Sequence, residues 1–251
     1  MVVEMATVAD ADATIDESSI FISGAAGKLI LGGNDAVTDN FGIGEQDIMA
    51  EEVTGTYTNA SIQSNAGEKT YGADSDKVSY ISPSFGGIQA GVSYMDSGAT
   101  GATDSTAYGA SYTHENIKIG YTKGMQEVSG AVDNESQSIG AKVSFGAVSL
   151  IGAMSTVEGA DEDIETIGAG ASYAINGTTT VAVSTMESED ALDVSGTEKE
   201  NLKQNMVEIK HTIAPGLTGY VNYTDYEYKN GGEASTDDDG SVLQFKIAAS
   251  F

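Results

Sequence analysis

Residues 76–95 read DKVSYISPSFGGIQAGVSYM, two runs of alternating apolar and small polar residues that meet at a Pro/Gly turn. Val78 and Tyr80 fall on one face of an extended chain, and Ile88, Ala90, Val92 and Tyr94 on one face of the next, with Gln89, Gly91 and Ser93 opposite. A period of two marks strands with one apolar side. The connection Pro83–Gly87 marks a hairpin. The stretch leaves open whether the apolar side meets a protein core or something else.

The same alternation gives fourteen candidate strands, near 1–9, 18–26, 28–33, 77–82, 88–95, 105–114, 117–124, 135–145, 147–155, 164–174, 178–186, 205–213, 217–228 and 241–251. Leu243, Phe245, Ile247, Ala249 and Phe251 alternate with Gln244, Lys246 and Ser250, and Ile139, Ala141, Val143 and Phe145 with Ser138, Gly140, Lys142 and Ser144. Val207, Ile209 and Ile213 oppose Glu208, Lys210 and Thr212. Short links alternate strictly with long ones, the pattern of an up-and-down sheet. All short turns then lie at one end and all long loops at the other, the asymmetry of outer-membrane barrels. A Greek-key sandwich does not produce it.

Composition narrows the function. Thirty-eight Asp and Glu against eleven Lys and no Arg give a net charge of −27 over 251 residues, which disfavours nucleic acid or a bare anionic lipid surface as a partner and favours cations. Cysteine is absent, so thiol chemistry and a disulfide framework are excluded. No apolar run is long enough for a membrane-spanning helix, a test that a β-barrel escapes because its lipid-facing residues alternate with others. The opening MVVEMATVADAD carries no signal-peptide pattern. By this reading 32 of the 38 acidic residues fall in the long connections. The strand centres are left nearly free of carboxylates.

The connection 34–76 is the longest. A loop of this length is functional or disordered. It carries Asp35, Asp39, Glu45, Asp47, Glu51 and Glu52 beside Phe41, Ile43, Ile48 and Met49. A solvated loop has no use for those apolar residues, whereas one tucked against an inner barrel wall does. The stretch EQDIMAEEV suits one or two helical turns.

With these features the chain resembles a general diffusion porin of Gram-negative bacteria, of alphaproteobacterial type. The resemblance covers essentially all of residues 1–251, as one domain. Its most specific parts are DKVSYISPSFGGIQAGVSYM, the segment LILGGNDAVTDNFG entering the long loop, and the C-terminal strand ending in Phe251. It implies an all-β, antiparallel up-and-down transmembrane barrel of the sixteen-strand type, with about fourteen strands present and 34–76 as the inward-folded constriction loop. It implies further that a first hairpin and a signal peptide belong before Met1. Leu243, Phe245, Ile247 and Phe251 match the family signal read by the barrel-assembly machinery. Outer-membrane lipid, lipopolysaccharide and a homotrimer are implied as surroundings and partners. The family's arginine cluster facing the loop has no counterpart; Lys118, Lys142, Lys210 and Lys246 are what the wall offers on the lumen face.

The expected activity is passive diffusion of small hydrophilic solutes and ions, with Asp35, Asp39, Glu45, Asp47, Glu51 and Glu52 biasing the pore toward cations. The runs Asp237, Asp238, Asp239 and Asp161, Glu162, Asp163 are candidates for Ca²⁺ or Mg²⁺ through hard oxygen ligands, against the plainer reading of solvated charge. Tyr94, Tyr108 and Tyr121 toward the loops, with Phe85, Tyr112, Phe145, Tyr173 and Phe251 toward the turns, suit two interfacial girdles. His114 and His211 have no nucleophile nearby in sequence pattern, and no cofactor or enzymatic motif is visible. The competing reading is a soluble or secreted acidic β-protein, an adhesin or Ca²⁺-binding surface module, with a dry interior.

Overall fold

A computed structural model describes residues 2–6, 14–50, 66–67, 69, 71, 75–96, 103–128, 132–160, 163–191, 199–229 and 237–250, with backbone alone for 2–6 and 14–17. Fourteen strands form one antiparallel sheet in sequence order. They are β1 (Val2–Ala6), β2 (Thr14–Gly24), β3 (Gly27–Gly33), β4 (Asp76–Ile81), β5 (Ile88–Met95), β6 (Ser105–His114) and β7 (Ile117–Gln126), then β8 (Asn134–Phe145), β9 (Val148–Glu158), β10 (Asp163–Ala174), β11 (Thr179–Asp190), β12 (Glu200–Ala214), β13 (Leu217–Lys229) and β14 (Asp238–Ala249). Every strand pairs with its sequence neighbours, and β1 and β14 are each paired on one side.

Turn chemistry closes the short end. At the β4–β5 hairpin, Phe85 and Ile88 exchange backbone hydrogen bonds of 2.8 and 3.0 Å. Gly87 sits there at φ 86°, where a side chain would also run into the carbonyl of Thr113. Only glycine satisfies both demands.

One face of the sheet carries large apolar side chains in the open: Phe245 and Ile247 are 71% exposed, Ile22 70% and Ile167 64%. A soluble sandwich buries such a face, so this exposure disfavours the soluble reading and suits contact with hydrocarbon. The proposed girdle residues Tyr94, Tyr108, Tyr121, Phe85, Tyr112, Phe145 and Tyr173 are all exposed on the described surface; Phe251 lies outside the described residues.

Strand register shows where the apolar band ends. Ala90, Ala110, Tyr121, Ile139, Met154 and Ile167 lie side by side across β5 to β10 and run on into Glu187, Lys203, Glu227 and Asp239 across β11 to β14. One side-chain row nearer the loops, Tyr80, Val92 and Tyr108 give way already at β7, to Lys123, Gln137, Thr156 and Glu165. The boundary therefore crosses the hydrogen-bonded rows obliquely. Strands tilted against a flat slab of lipid require that slope.

The strands also reach farther toward the loops than hydropathy suggests. β9 continues to Glu158, β11 to Asp190, and β12 starts at Glu200 rather than near 205. Apolar alternation stops where a strand leaves hydrocarbon, but its hydrogen-bond ladder does not. Glu158, Asp163, Glu187, Glu189, Asp190, Glu200, Asp238 and Asp239 are thus strand residues at the rim instead of loop residues. Lys123 pairs with Glu135 at 2.6 Å, Lys203 with Glu187 at 3.1 Å and Lys229 with Glu227 at 2.9 Å along this rim, and Lys199 with Glu189.

A charge placed in the apolar band tests its orientation. Ala141→Lys, between Val143 and Ile139 on the outer face, is expected to destabilise the folded protein in bilayers by about 2–4 kcal/mol. Ser149→Lys, on the opposite face of the adjoining β9, is expected to cost far less. Urea unfolding in lipid vesicles reads both.

Candidate channel constriction

Between β3 and β4 the chain folds over the other face of the sheet. Its first limb contains α1 (Val37–Phe41) and a 3-10 helix at Glu45–Ile48. Val37 donates its N–H to Ser93 Oγ at 2.9 Å, and Ser93 shares a 2.8 Å hydrogen bond with Ser79. Asp47 Oδ2 accepts the Gly44 N–H at 2.8 Å, closing the 3-10 turn. Lys77, buried at the base of the loop, donates to the Asn34 carbonyl.

The wall beneath is cleared by glycine. A Cβ on Gly91 would lie 2.9 Å from the Phe41 ring, and one on Gly109 would overlap that ring outright. Gly120 and Gly140 lie under the Phe41 carbonyl and Ile43, Gly168 under Glu45, and Gly170 under Ile48. Six glycines on β5, β6, β7, β8 and β10 thus form a track on which residues 37–48 lie. Phe41 is 1% exposed, packed with Ile30, Ala36, Val37, Ile81 and Ala107. Ile43 and Ile48 pack with Ile151 and Ala182. Among the described residues, two of the three buried apolar clusters make up this seam between loop and wall, and the third joins Met186, Leu202 and Tyr228 on β11, β12 and β13.

Carboxylates divide into two kinds. Asp35, Asp39 and Asp47 are exposed. Glu45 is 0% exposed: its Oε2 accepts the Ala66 N–H at 2.7 Å, tying the returning limb to the outgoing one, and its side chain fills the notch at Gly168. Burial raises its pKa above the ordinary 4.5, opposed by the Ala66 hydrogen bond. Glu51 and Glu52 lie outside the described residues. Glu208, on β12, accepts the Ala50 N–H at 2.7 Å and pins the loop farther along. Ser136 Oγ, on β8, holds the Lys69 carbonyl at 2.9 Å on the returning limb.

Lys142 donates to the Asp47 carbonyl at 2.7 Å, so it positions the loop. Lys118 is its register partner on the same face. Lys210 and Lys246 flank Tyr220 in one lateral row. Leu243, Phe245 and Ile247 are exposed on the apolar outer face of β14. Of the acidic runs, Asp238 and Asp239 open β14, Asp237 precedes it, Asp163 opens β10, and Asp161 and Glu162 lie outside the described residues. Among the described residues no three His, Asp or Glu side chains are grouped to hold a metal.

Sequence reading missed the glycine track and Glu208. The glycines sit on the polar face of their strands, where they read as neutral punctuation. Glu208 stands between Val207 and Ile209 and was legible as an inward carboxylate.

Two outcomes follow for this seat. Gly109→Leu must displace Phe41, and single-channel conductance is expected to become larger and unsteady as the loop leaves the wall. Because the Glu45 pKa is raised when seated, seating is favoured fully below the ordinary value of 4.5 and weakens as pH rises through the raised one. Glu45→Gln, uncharged and of the same shape, is expected to remove that dependence, measured as conductance noise against pH.

Comparison with known proteins agrees with this architecture. The anion-selective porin from Comamonas acidovorans superposes with a TM-score of 0.70 at 18% identity, over 96% of this chain and 79% of that one. The outer membrane protein OmpT of Vibrio cholerae, in its trimer form, gives 0.67 at 12% identity over 98% and 83%. OmpF of Salmonella typhi, in a complex with daunomycin, gives 0.62 at 15% over 94% and 78%. At these identities the likeness shows the fold. No curated protein sequence matches the chain significantly. A family model described as Gram-negative porin matches residues 1–231. The chain belongs to the Gram-negative porin family, proteins that form channels in the outer membrane.

Proposed function

We propose that this porin passes small hydrophilic solutes and ions by diffusion and prefers cations. The observation that carries the preference is the position of Asp35, Asp39 and Asp47: exposed on a loop seated against the inner wall, in a chain with no arginine. Carboxylates at a constriction flanked by low-dielectric protein focus their field into the remaining passage. Glu45 and Glu208 serve the seat and contribute less to the open passage. The Comamonas acidovorans porin is named as anion-selective. That selectivity belongs to its own side chains, because 18% identity carries the fold and little else.

Trimeric assembly is part of the proposal, supported by the trimer form of the OmpT neighbour. So are contacts of the acidic rim with lipopolysaccharide and recognition of Leu243, Phe245 and Ile247 by the assembly machinery. The exposed apolar outer strands support a membrane site for all of these.

Reversal potential across a KCl gradient tests the preference. The expected sign is that of potassium selectivity, and the triple variant Asp35→Asn, Asp39→Asn, Asp47→Asn is expected to lower the cation-to-anion permeability ratio several-fold. Asparagine at 47 retains an oxygen for Gly44, so the loop stays closed. An anion-side potential in the unaltered protein rejects the preference.

A further inference from the structure

Five of the six described lysines of the inner face lie in one zone; the sixth, Lys77 on β4, is buried at the loop base, where it donates to the Asn34 carbonyl. On β8 and β7, Lys142 and Lys118 stand two residues turnward of Gly140 and Gly120, which carry the loop. On β12, Lys210 stands two residues turnward of Glu208, which holds Ala50. Lys246 shares the lateral row of Lys210 through Tyr220. On β3, Lys28 stands two residues turnward of Ile30, which packs with Val37 and Phe41. Turnward of the loop, among the described residues of β3 to β14, the inner face carries no carboxylate.

Apart from Glu115, exposed in the β6–β7 turn, the exposed carboxylates of the inner side occupy the other zone, on the loop and toward the rim. Opposite charges here are stacked along the channel. Lys118 and Lys142 even face each other directly in register, an arrangement that costs stability where like charges meet. Packing does not demand it, since serines and threonines fill neighbouring inward positions such as Ser111, Thr113, Ser144 and Ser149.

We propose that the pore is bipolar along its axis: Lys28, Lys118, Lys210 and Lys246 make a turn-side vestibule that gathers anions, in series with the acidic loop. The proposal rests on the channel reading above and adds a second selectivity element to it. A voltage positive on the loop side draws cations in through the acidic zone and anions in through the basic one, filling the pore with carriers. The reverse voltage empties it. Current therefore rectifies, and a polyvalent anion is retained when presented from the turn side.

Planar-bilayer recording of the full chain tests this with symmetric KCl and inorganic triphosphate as the probe. At about 0.1 M salt, where the screening length is about 10 Å, the two polarities are expected to differ about two-fold or more. At about 1 M, with a screening length of about 3 Å, they converge. Triphosphate is expected to reduce potassium current from one chamber and not from the other. The variant K28Q/K118Q/K210Q/K246Q is expected to lose both effects and keep a cation-side reversal potential; Lys142 is left in place because it holds the loop. K123Q, altering a lysine of the outer face, keeps both effects. Should the fourfold variant fail to fold, K118Q and K210Q alone are each expected to reduce the asymmetry. A linear current–voltage curve at low salt in a channel that remains cation-selective overturns the bipolar proposal and spares the selectivity reading. Asymmetry that survives the fourfold substitution overturns it equally. An anion-side reversal potential with lysine-dependent rectification supports the bipolar pore and rejects the cation preference instead.

Discussion

A strand shows alternate residues to opposite sides, and in hydrocarbon every backbone N–H and C=O must find a partner within the protein. These two facts govern the molecule. Pairing of each strand with its neighbours satisfies the backbone across the sheet. The period of two then leaves each strand one side chain for lipid and the next for the interior. Val143 and Lys142, adjacent in sequence, live in different solvents for that reason. The oblique edge of the apolar band records the same constraint from outside, since strands leaning against a flat membrane must cross its surface at different residues.

The interior is shaped by what was removed from it. Six glycines strip the wall of side chains along a path across β5 to β10, and the loop's aromatic and aliphatic residues occupy the space. Phe41, Ile43 and Ile48 gain burial there, each worth about 1.5–3 kcal/mol. Polar ties fix the register of that contact: Ser93 at the start of α1, Lys142 and Glu208 beyond it, and Glu45 between the two limbs. A channel needs an obstruction that is held in place, and apolar contact alone would let the loop slide.

Much of this was legible in the sequence. Alternation and the strict exchange of short and long connections specify the number, order and sidedness of the strands. Phe41, Ile43 and Ile48 in an otherwise acidic stretch specify that the loop is tucked inward. The strand ends were not legible, because Glu187, Glu189 and Glu200 look like loop residues once the chain leaves lipid. Individual roles within the loop were not legible either. Glu45 and Asp47 differ by two positions, yet one is sealed against Gly168 and the other stands in the open. Only the path of the backbone over the wall decides which is which. Likewise the inward lysines read as four separate residues, and their common level emerges only from the lateral register of the sheet.

The central claim is that one face of each strand meets hydrocarbon and the other meets water. The chain has no cysteine, so single cysteines placed in turn from residue 137 to 145 along β8 give an unambiguous readout in lipid vesicles. A charged, water-soluble thiol reagent should modify positions 142 and 144 and leave 139, 141 and 143 unreacted, while a lipid-borne quencher should reach a fluorophore at the second set alone. Equal reactivity at both sets, or protection of 142 and 144 with exposure of 141 and 143, would contradict the account.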